Sequence, residues 1–230
     1  MSQNPLRLSR VRTLIGDETT DKLTQMRVLL LGIGGVGSYA FEALVRSGIG
    51  HITAVDRDCF EESNLNRQLY ATVETIGRPK AEVAAERAKA ITDECEVIPV
   101  VEFVTPENAA QLIENARPDI ILDAIDNVSA KIAVAEYAYS NKIKSVMCLG
   151  TGNRLDPSKL RITDINETSG CPLARVMRRE LKKRGIHKQD VVFSDEVPVD
   201  VGQRTPASMV FVPAAAGMLM ASRTVAMLRK

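Results

Sequence analysis

Apolar positions along this chain fall into two rhythms that take turns. Short runs recur at MRVLLL (26–31), HITAVD (51–56), EVIPVV (96–101), DIILDA (119–124) and KSVMCLG (144–150). Runs of this length and content fit strands buried on both faces. Between them lie segments rich in helix formers: 36–46, PKAEVAAERAKAITD at 79–93 with proline in its first turn, PENAAQLIENA at 106–116, and 129–141. Strands and helices alternating at this spacing predict right-handed crossovers and a mostly parallel α/β sheet with helices on both faces.

After Gly152 the pattern changes. KLRITDI (159–165) alternates like an antiparallel strand, and CPLARVMRRELKKRG (171–185) is helical. VVFS (191–194) and SMVFV (208–212) read as further short strands, followed by a closing helix opened by Pro213. No repeat or low-complexity linker divides the chain. Residues 1–230 are therefore expected to form one unit, with 1–151 as a nucleotide-binding core and 152–230 as an elaboration that extends the sheet with antiparallel strands. The apolar stretch 207–222 is short for a bilayer span and is followed at once by Arg223, so it reads as a buried helix. MSQNPLRLSR has no apolar core of an export signal, and a soluble cytoplasmic protein with no membrane contact is expected.

Composition narrows the chemistry. Aromatic residues make up only 4%, which argues against a sandwich or barrel. Cys59, Cys95, Cys148 and Cys171 form no CxxC pair and have only His51 and His187 for company, so neither zinc nor disulfides are expected. The net charge of +1 hides an asymmetry: residues 1–150 hold 16 Lys/Arg against 21 Asp/Glu, and residues 151–230 hold 14 against 8. The C-terminal part is the better place to look for an anionic macromolecule.

Gly32, Gly34 and Gly37, with Gly35 between them, form a GxGxxG turn between strand and helix, and Asp56 ends the next strand. That arrangement implies a Rossmann-like site with a carboxylate for ribose hydroxyls, and it suits NAD, FAD or ATP alike. The next loop, DRDCFEESNLNRQLY, brings Asp58, Asn64, Arg67 and Gln68, and Lys80 opens the following helix. Two cations and several amides beside phosphates suit a reaction in which negative charge builds on phosphorus, rather than hydride transfer. DAIDN places Asp126 and Asn127 just past the fourth strand, where Asp126 can take a Mg²⁺ carried by phosphate oxygens.

Taken together, GIGGVGS, D-x-D-x-F-x-x-S-N-x-N-R-Q, G-R-x-K and DAIDN resemble the ubiquitin-activating-enzyme-like adenylation family, which includes the bacterial sulfur-carrier activators. The resemblance runs from about Arg7 to Thr151. It implies ATP, with Asp56 on ribose, Asn64, Arg67 and Lys80 around the triphosphate, Gln68 nearby, and Asp126 on Mg²⁺. RLSR is similar to the family's N-terminal arginine motif, in which Arg10 reaches the ATP of a partner subunit, and this implies a homodimer.

The acceptor carboxylate is indicated further along. In the basic helix, Arg175, Arg178, Arg179, Lys182 and Lys183 share helical spacing opposite Leu173, Val176, Met177 and Leu181. An isolated helix of this type is commonly a solvated surface. One acid among seven cations over 171–188, with Arg154 and KLRI nearby, points instead to a phosphate-backbone footprint. TGNRLDPSKLRITDI followed by TSGCPLARVMRRELKKRGI is similar to the tRNA threonylcarbamoyladenosine dehydratase branch of the family. That resemblance implies a tRNA bearing t6A37, whose free carboxylate is adenylated. The base's own carbamoyl group then displaces AMP and closes a ring, so no enzyme nucleophile is needed. It also leaves room for a cysteine desulfurase or sulfur acceptor as a protein partner.

Three other readings stand beside it: an activator of a small ubiquitin-like sulfur carrier, an NAD(P)-dependent oxidoreductase, and a non-catalytic nucleotide- or tRNA-binding module. Cys171, just before a helix N-terminus with Arg175 nearby, is read as a loop cysteine, with thiol chemistry as the alternative. Cys148 and Cys95 are read as packing residues.

Overall fold

The computed structural model of this chain describes residues 6–203 and 205–228, so the first five residues of MSQNPLRLSR lie outside it. Two helices that the sequence pattern did not announce come first, α1 (Ser9–Ile15) and α2 (Asp17–Gln25). The acidic pair Asp17 and Glu18 opens α2, and only Thr20 and Leu23 of that helix are buried, which leaves little apolar periodicity to read. The alternating core follows as β1 (Arg27–Leu31), α3 (Gly37–Ser47), β2 (His51–Val55), α4 (Lys80–Ile91), β3 (Glu96–Val100), α5 (Ala109–Ala116), β4 (Ile120–Asp123), α6 (Val128–Ser140) and β5 (Lys144–Cys148). The remaining elements are β6 (Leu160–Asp164), α7 (Pro172–Lys183), β7 (Asp190–Ser194) and α8 (Phe211–Ala226).

The strands form one sheet in the order β3-β2-β1-β4-β5-β7-β6. β1 lies parallel to both β2 and β4, and β7 joins parallel to β5. Among the described residues only β6, at the edge, runs antiparallel, against β7. The expected antiparallel extension is therefore a single strand pair. SMVFV forms no strand: α8 begins at Phe211, two residues before Pro213. As a helix this segment puts Val212, Ala216 and Met220 on one buried stripe, and proline is tolerated in the first turn.

Strand alternation divides the core between two faces. Val28, Leu30, Ile52, Leu122 and Val146 pack with α3, α4 and α8, whereas Leu29, Leu31, Val55 and Ile121 pack with α5 and α6. Met147, Val191 and Phe193 continue the second face under α7. α8 crosses α3 closely. A β-carbon at Gly217 would lie 2.3 Å from the Val36 carbonyl oxygen, so backbone meets backbone just behind the glycine turn. On the same side, buried Glu42 of α3 accepts hydrogen bonds from Arg87 of α4, from Arg46 and from the Tyr70 hydroxyl. Tyr70 also meets Phe41 edge-on at 6.0 Å. These contacts fix the base of the long β2–α4 connection that carries Asn64, Arg67 and Gln68.

Candidate active site

The strand order reverses direction at β1 and β4, and a crevice opens beyond their carboxyl ends, where open α/β sheets take ligands. A cleft of about 470 Å³ occupies it. Its floor is the glycine turn. Gly32 has a φ of +89°, and a β-carbon there would lie 2.9 Å from the Ala124 carbonyl oxygen. One at Gly37 would lie 1.8 Å from the Gly32 carbonyl oxygen. Glycine is thus required at both positions for the turn to fold under the DAIDN loop. Gly34 and Gly35 line the cleft, and α3 starts without a side-chain cap; of its first-turn N–H groups, that of Ser38 donates to the Gly34 carbonyl at 3.0 Å, and no side chain caps the others.

The charged groups come from three loops. Asp56 accepts the N–H groups of Ile33 at 2.7 Å and Asp58 at 2.9 Å, which ties it to the glycine turn while its outer face borders the cleft. Burial pushes the Asp56 carboxyl up from its ordinary value; the two N–H donors and the charge of Lys80 oppose that shift. The Lys80 side chain is 7% exposed, and its Nζ donates to Asp58 Oδ2 at 3.1 Å. Arg67 donates to the Ser63 carbonyl at 2.7 Å and to Asn66 Oδ1 at 2.9 Å, which leaves part of its guanidinium fork for the cleft. Gln68 is buried, and its Oε1 has no hydrogen-bond partner among the described residues. Asn64 lines the cleft while closing a reciprocal cap with Glu61.

On the opposite wall, Asp126 is exposed and has no ion-pair partner among the described residues. The Asn127 side-chain oxygen caps α6 through the Ala130 N–H at 3.0 Å, so only its amide NH₂ group is left for a ligand. Among the described residues, no group of three His, Cys, Asp or Glu side chains could hold a metal ion. A magnesium ion carried by phosphate oxygens asks for only one or two protein carboxylates, and Asp126 fits that requirement.

The structure therefore gathers Gly32, Gly34, Gly35, Asp56, Asp58, Asn64, Arg67, Gln68, Lys80, Asp126 and Asn127 around one cleft. Gly37 shapes that turn from beneath. Arg10 stands apart: it is exposed on α1 and does not line the cleft of its own chain. The α7 cations also lie outside the cleft, and they are not equivalent. Arg178 donates to the Thr168 carbonyl and hydroxyl at 2.6 Å, a structural tie. Glu180 pairs with Arg179, Lys183 and Arg184. Arg175 and Lys182 are exposed and unpaired among the described residues.

Two parts of the cleft had not been anticipated. The Arg57 guanidinium sits 4.2 Å over the Phe103 ring at its wall, a cation–π pair whose only sequence signal is an aromatic just beyond the third strand. Thr205, Pro206 and Ser208, from the segment ahead of α8, border its mouth. They are held through Asn153, which exchanges hydrogen bonds with Ala207 at 2.7 and 2.6 Å.

This chain belongs to the ThiF family, whose model matches residues 8–230. It is 37% identical to the tRNA threonylcarbamoyladenosine dehydratase of Bacillus subtilis (strain 168), over 94% of this chain and 92% of that protein. The crystal structure of the Escherichia coli tRNA N6-threonylcarbamoyladenosine dehydratase TcdA in complex with ATP matches with a TM-score of 0.90 and 36% identity, over 96% of this chain and 93% of that one. The sulfur carrier protein ThiS adenylyltransferase of B. subtilis is 36% identical, but over only 60% of this chain and 41% of its own length. No helix among the described residues is long and apolar enough to cross a membrane.

Proposed function

We propose that this protein is an ATP-dependent tRNA threonylcarbamoyladenosine dehydratase. The carboxylate of t6A in the tRNA attacks the α-phosphorus of ATP, forming an acyl adenylate and releasing pyrophosphate. The nucleoside's own carbamoyl group then attacks the activated carbonyl, AMP leaves, and the ring closes with the net loss of one water. The observation that carries this reading is the meeting of Arg67, Lys80 and Asp126 at one glycine turn, in a chain similar over nearly its full length to proteins of that name. Arg67 and Lys80 stabilise charge developing on the phosphates, Asp56 holds the ribose, and Asn64, Gln68 and the Asn127 amide orient the nucleotide. Magnesium, bound through Asp126, supplies charge neutralisation when present.

The enzyme works as a cytoplasmic homodimer in which Arg10 serves the neighbouring cleft. Support comes from its exposure outside the lining of its own cleft and from the exposed Leu6 and Leu14 beside it. The tRNA backbone lies along α7, with Arg175, Arg179, Lys182 and Lys183 facing it and Arg178 shaping the start of the helix. A cysteine desulfurase or sulfur acceptor is a further partner to test by co-purification. Activation of a small sulfur carrier would use the same cleft, but the match to such an enzyme is confined to little more than half of this chain.

The deciding experiment incubates t6A-bearing tRNA with ATP and the protein, then weighs the digested nucleosides. Loss of one water, dependent on both ATP and protein, is expected. ATP/pyrophosphate exchange driven by a ubiquitin-fold protein and not by this tRNA would decide for the alternative.

A further inference from the structure

Beneath the cleft wall that carries Asp126 lies an ion pair with no access to any ligand. Lys131 is fully buried and Asp123 is 1% exposed, and neither lines the cleft. Lys131 Nζ donates to Asp123 Oδ1 and to the Cys148 carbonyl, both at 2.8 Å, so one ammonium ties the carboxyl end of β4 to that of β5. The same Asp123 Oδ1 accepts the Ile125 N–H at 3.2 Å, turning the chain directly into the loop that presents Asp126. The loop's far end is fixed by the Asn127 cap on α6, and its near end by the Ala124 N–H, which donates to the Leu31 carbonyl at 2.8 Å.

Stability does not account for this arrangement. Lys131 places a positive charge in the opening turns of α6, where the helix dipole opposes it. Asp123 Oδ2 is buried without a hydrogen-bond partner among the described residues, and burial pushes the Asp123 carboxyl up from its ordinary value against the pull of Lys131. A well-packed apolar pair usually serves a core as well as a buried ion pair does, or better. What the pair adds is direction: hydrogen bonds specify where a loop turns, and apolar contacts do not.

We infer that Lys131 and Asp123 are a positioning pair, which sets the loop 124–127 against the glycine turn so that Asp126 meets the triphosphate. The inference rests on the proposed role of Asp126. The pair acts through that loop and never touches substrate. Losing it should leave nucleotide and tRNA binding in place and slow the chemical step.

The test replaces the pair together, as Asp123→Leu with Lys131→Met, and follows thermal unfolding, kcat, both KM values and hydrogen exchange at the Ile125 amide. Expected are an unfolding midpoint at or above that of the wild type, KM values within about twofold, faster exchange at Ile125, and a kcat lower by about 10²-fold, the scale of an ångström's misplacement. A folded double variant with wild-type kcat overturns the inference. Should the double variant fail to fold, Asp123→Asn keeps the oxygen that accepts from Ile125 while removing the charge. Because that oxygen still accepts from Ile125 and Lys131, a kcat and an Ile125 exchange rate near those of the wild type then support positioning by hydrogen bonds, and a kcat lower by about tenfold or more with Ile125 exchange unchanged overturns it. Asp126→Ala, run alongside, separates the two levels. If it is inactive while the double variant is fully active, only the pair's role falls; if Asp126→Ala itself turns over normally, the proposed role of Asp126 falls and the inference falls with it.

Discussion

Cations gather in two regions of this molecule, the cleft at the carboxyl ends of β1 and β4 and the outer face of α7, and they differ in what they have left to give. In the cleft, Lys80 is nearly buried with Asp58 as its one side-chain partner among the described residues, and the turn that leads into the uncapped α3 lines the same space. On α7, the partly exposed Glu180 takes up Arg179, Lys183 and Arg184. Charges behind low-dielectric walls act strongly on a ligand held among them. Exposed pairs are worth about 0–1 kcal/mol and are screened by salt. On the proposed function, the first region serves the chemical step and the second a salt-sensitive encounter with a polyanion.

If that contrast holds, the largest effects come from the cleft. Asp126→Ala should lower AMP formation by about 10³-fold, judged against the cost of losing one preorganised charge-stabilising group, while tRNA binding in a filter assay stays unchanged. Undiminished turnover would remove Asp126 from the phosphate chemistry. Lys80→Ala comes next: a fall in kcat/KM of about 10²-fold, or ~2.7 kcal/mol of transition-state stabilisation, is expected. A change confined to the KM for ATP would make Lys80 a ground-state contact only.

The cleft was also the more legible region, and for a physical reason. The short apolar runs of β1, β2 and β4 alternate with helical segments and so read as strands of one parallel sheet; the loops after them then share the sheet's carboxyl edge, and Asp56, Lys80 and Asp126 follow them there. What sequence spacing could not show is hydrogen bonding between elements. Lys131 lies eight residues beyond Asp123 on a different element, and nothing local marks the two as partners. α1 and α2 were missed because their helical stripes bury almost nothing. SMVFV predicts a strand but enters a helix, because four apolar residues look alike in a strand and in the first turn of a helix, and the buried stripe of α8 favours the helix. On α7, Glu180 lies at i+3 and i+4 spacing from Lys183 and Arg184, so summing the charges of the helix overstates what its cations have free.

That distinction sharpens the prediction for the second region. Arg175 and Lys182 lie seven residues apart on one helical face and have no ion-pair partner among the described residues. Reversing both, as Arg175→Glu with Lys182→Glu, should weaken tRNA binding by about tenfold at moderate salt and flatten the dependence of log K on log[salt] by roughly 1.4 to 1.8, two phosphate contacts' worth. Reversing Arg179 and Lys183 instead should cost less, because Glu180 already neutralises part of their charge. Equal losses would mean that the pairs break open when tRNA arrives.

The smallest effect is the most direct measure of whether those pairs hold in solution. Three cations surround Glu180 and hold its carboxyl well below the usual 4.5, at about 2, with hydrogen bonds from Lys183, Arg184 and Arg179 as the leading causes. The folded value lies below the unfolded one, so the cluster's stabilisation of α7 is complete above about 4.5 and is lost as pH falls through about 2. Between neutral pH and the ordinary carboxylate range, acidification alone therefore releases none of the three cations. Carbon-13 NMR of the Glu180 carboxyl should find its midpoint near 2. A midpoint in the ordinary range would show three open pairs, return Arg179, Lys183 and Arg184 to the polyanion surface, and make the outer face of α7 a stronger binding region than its resting contacts indicate.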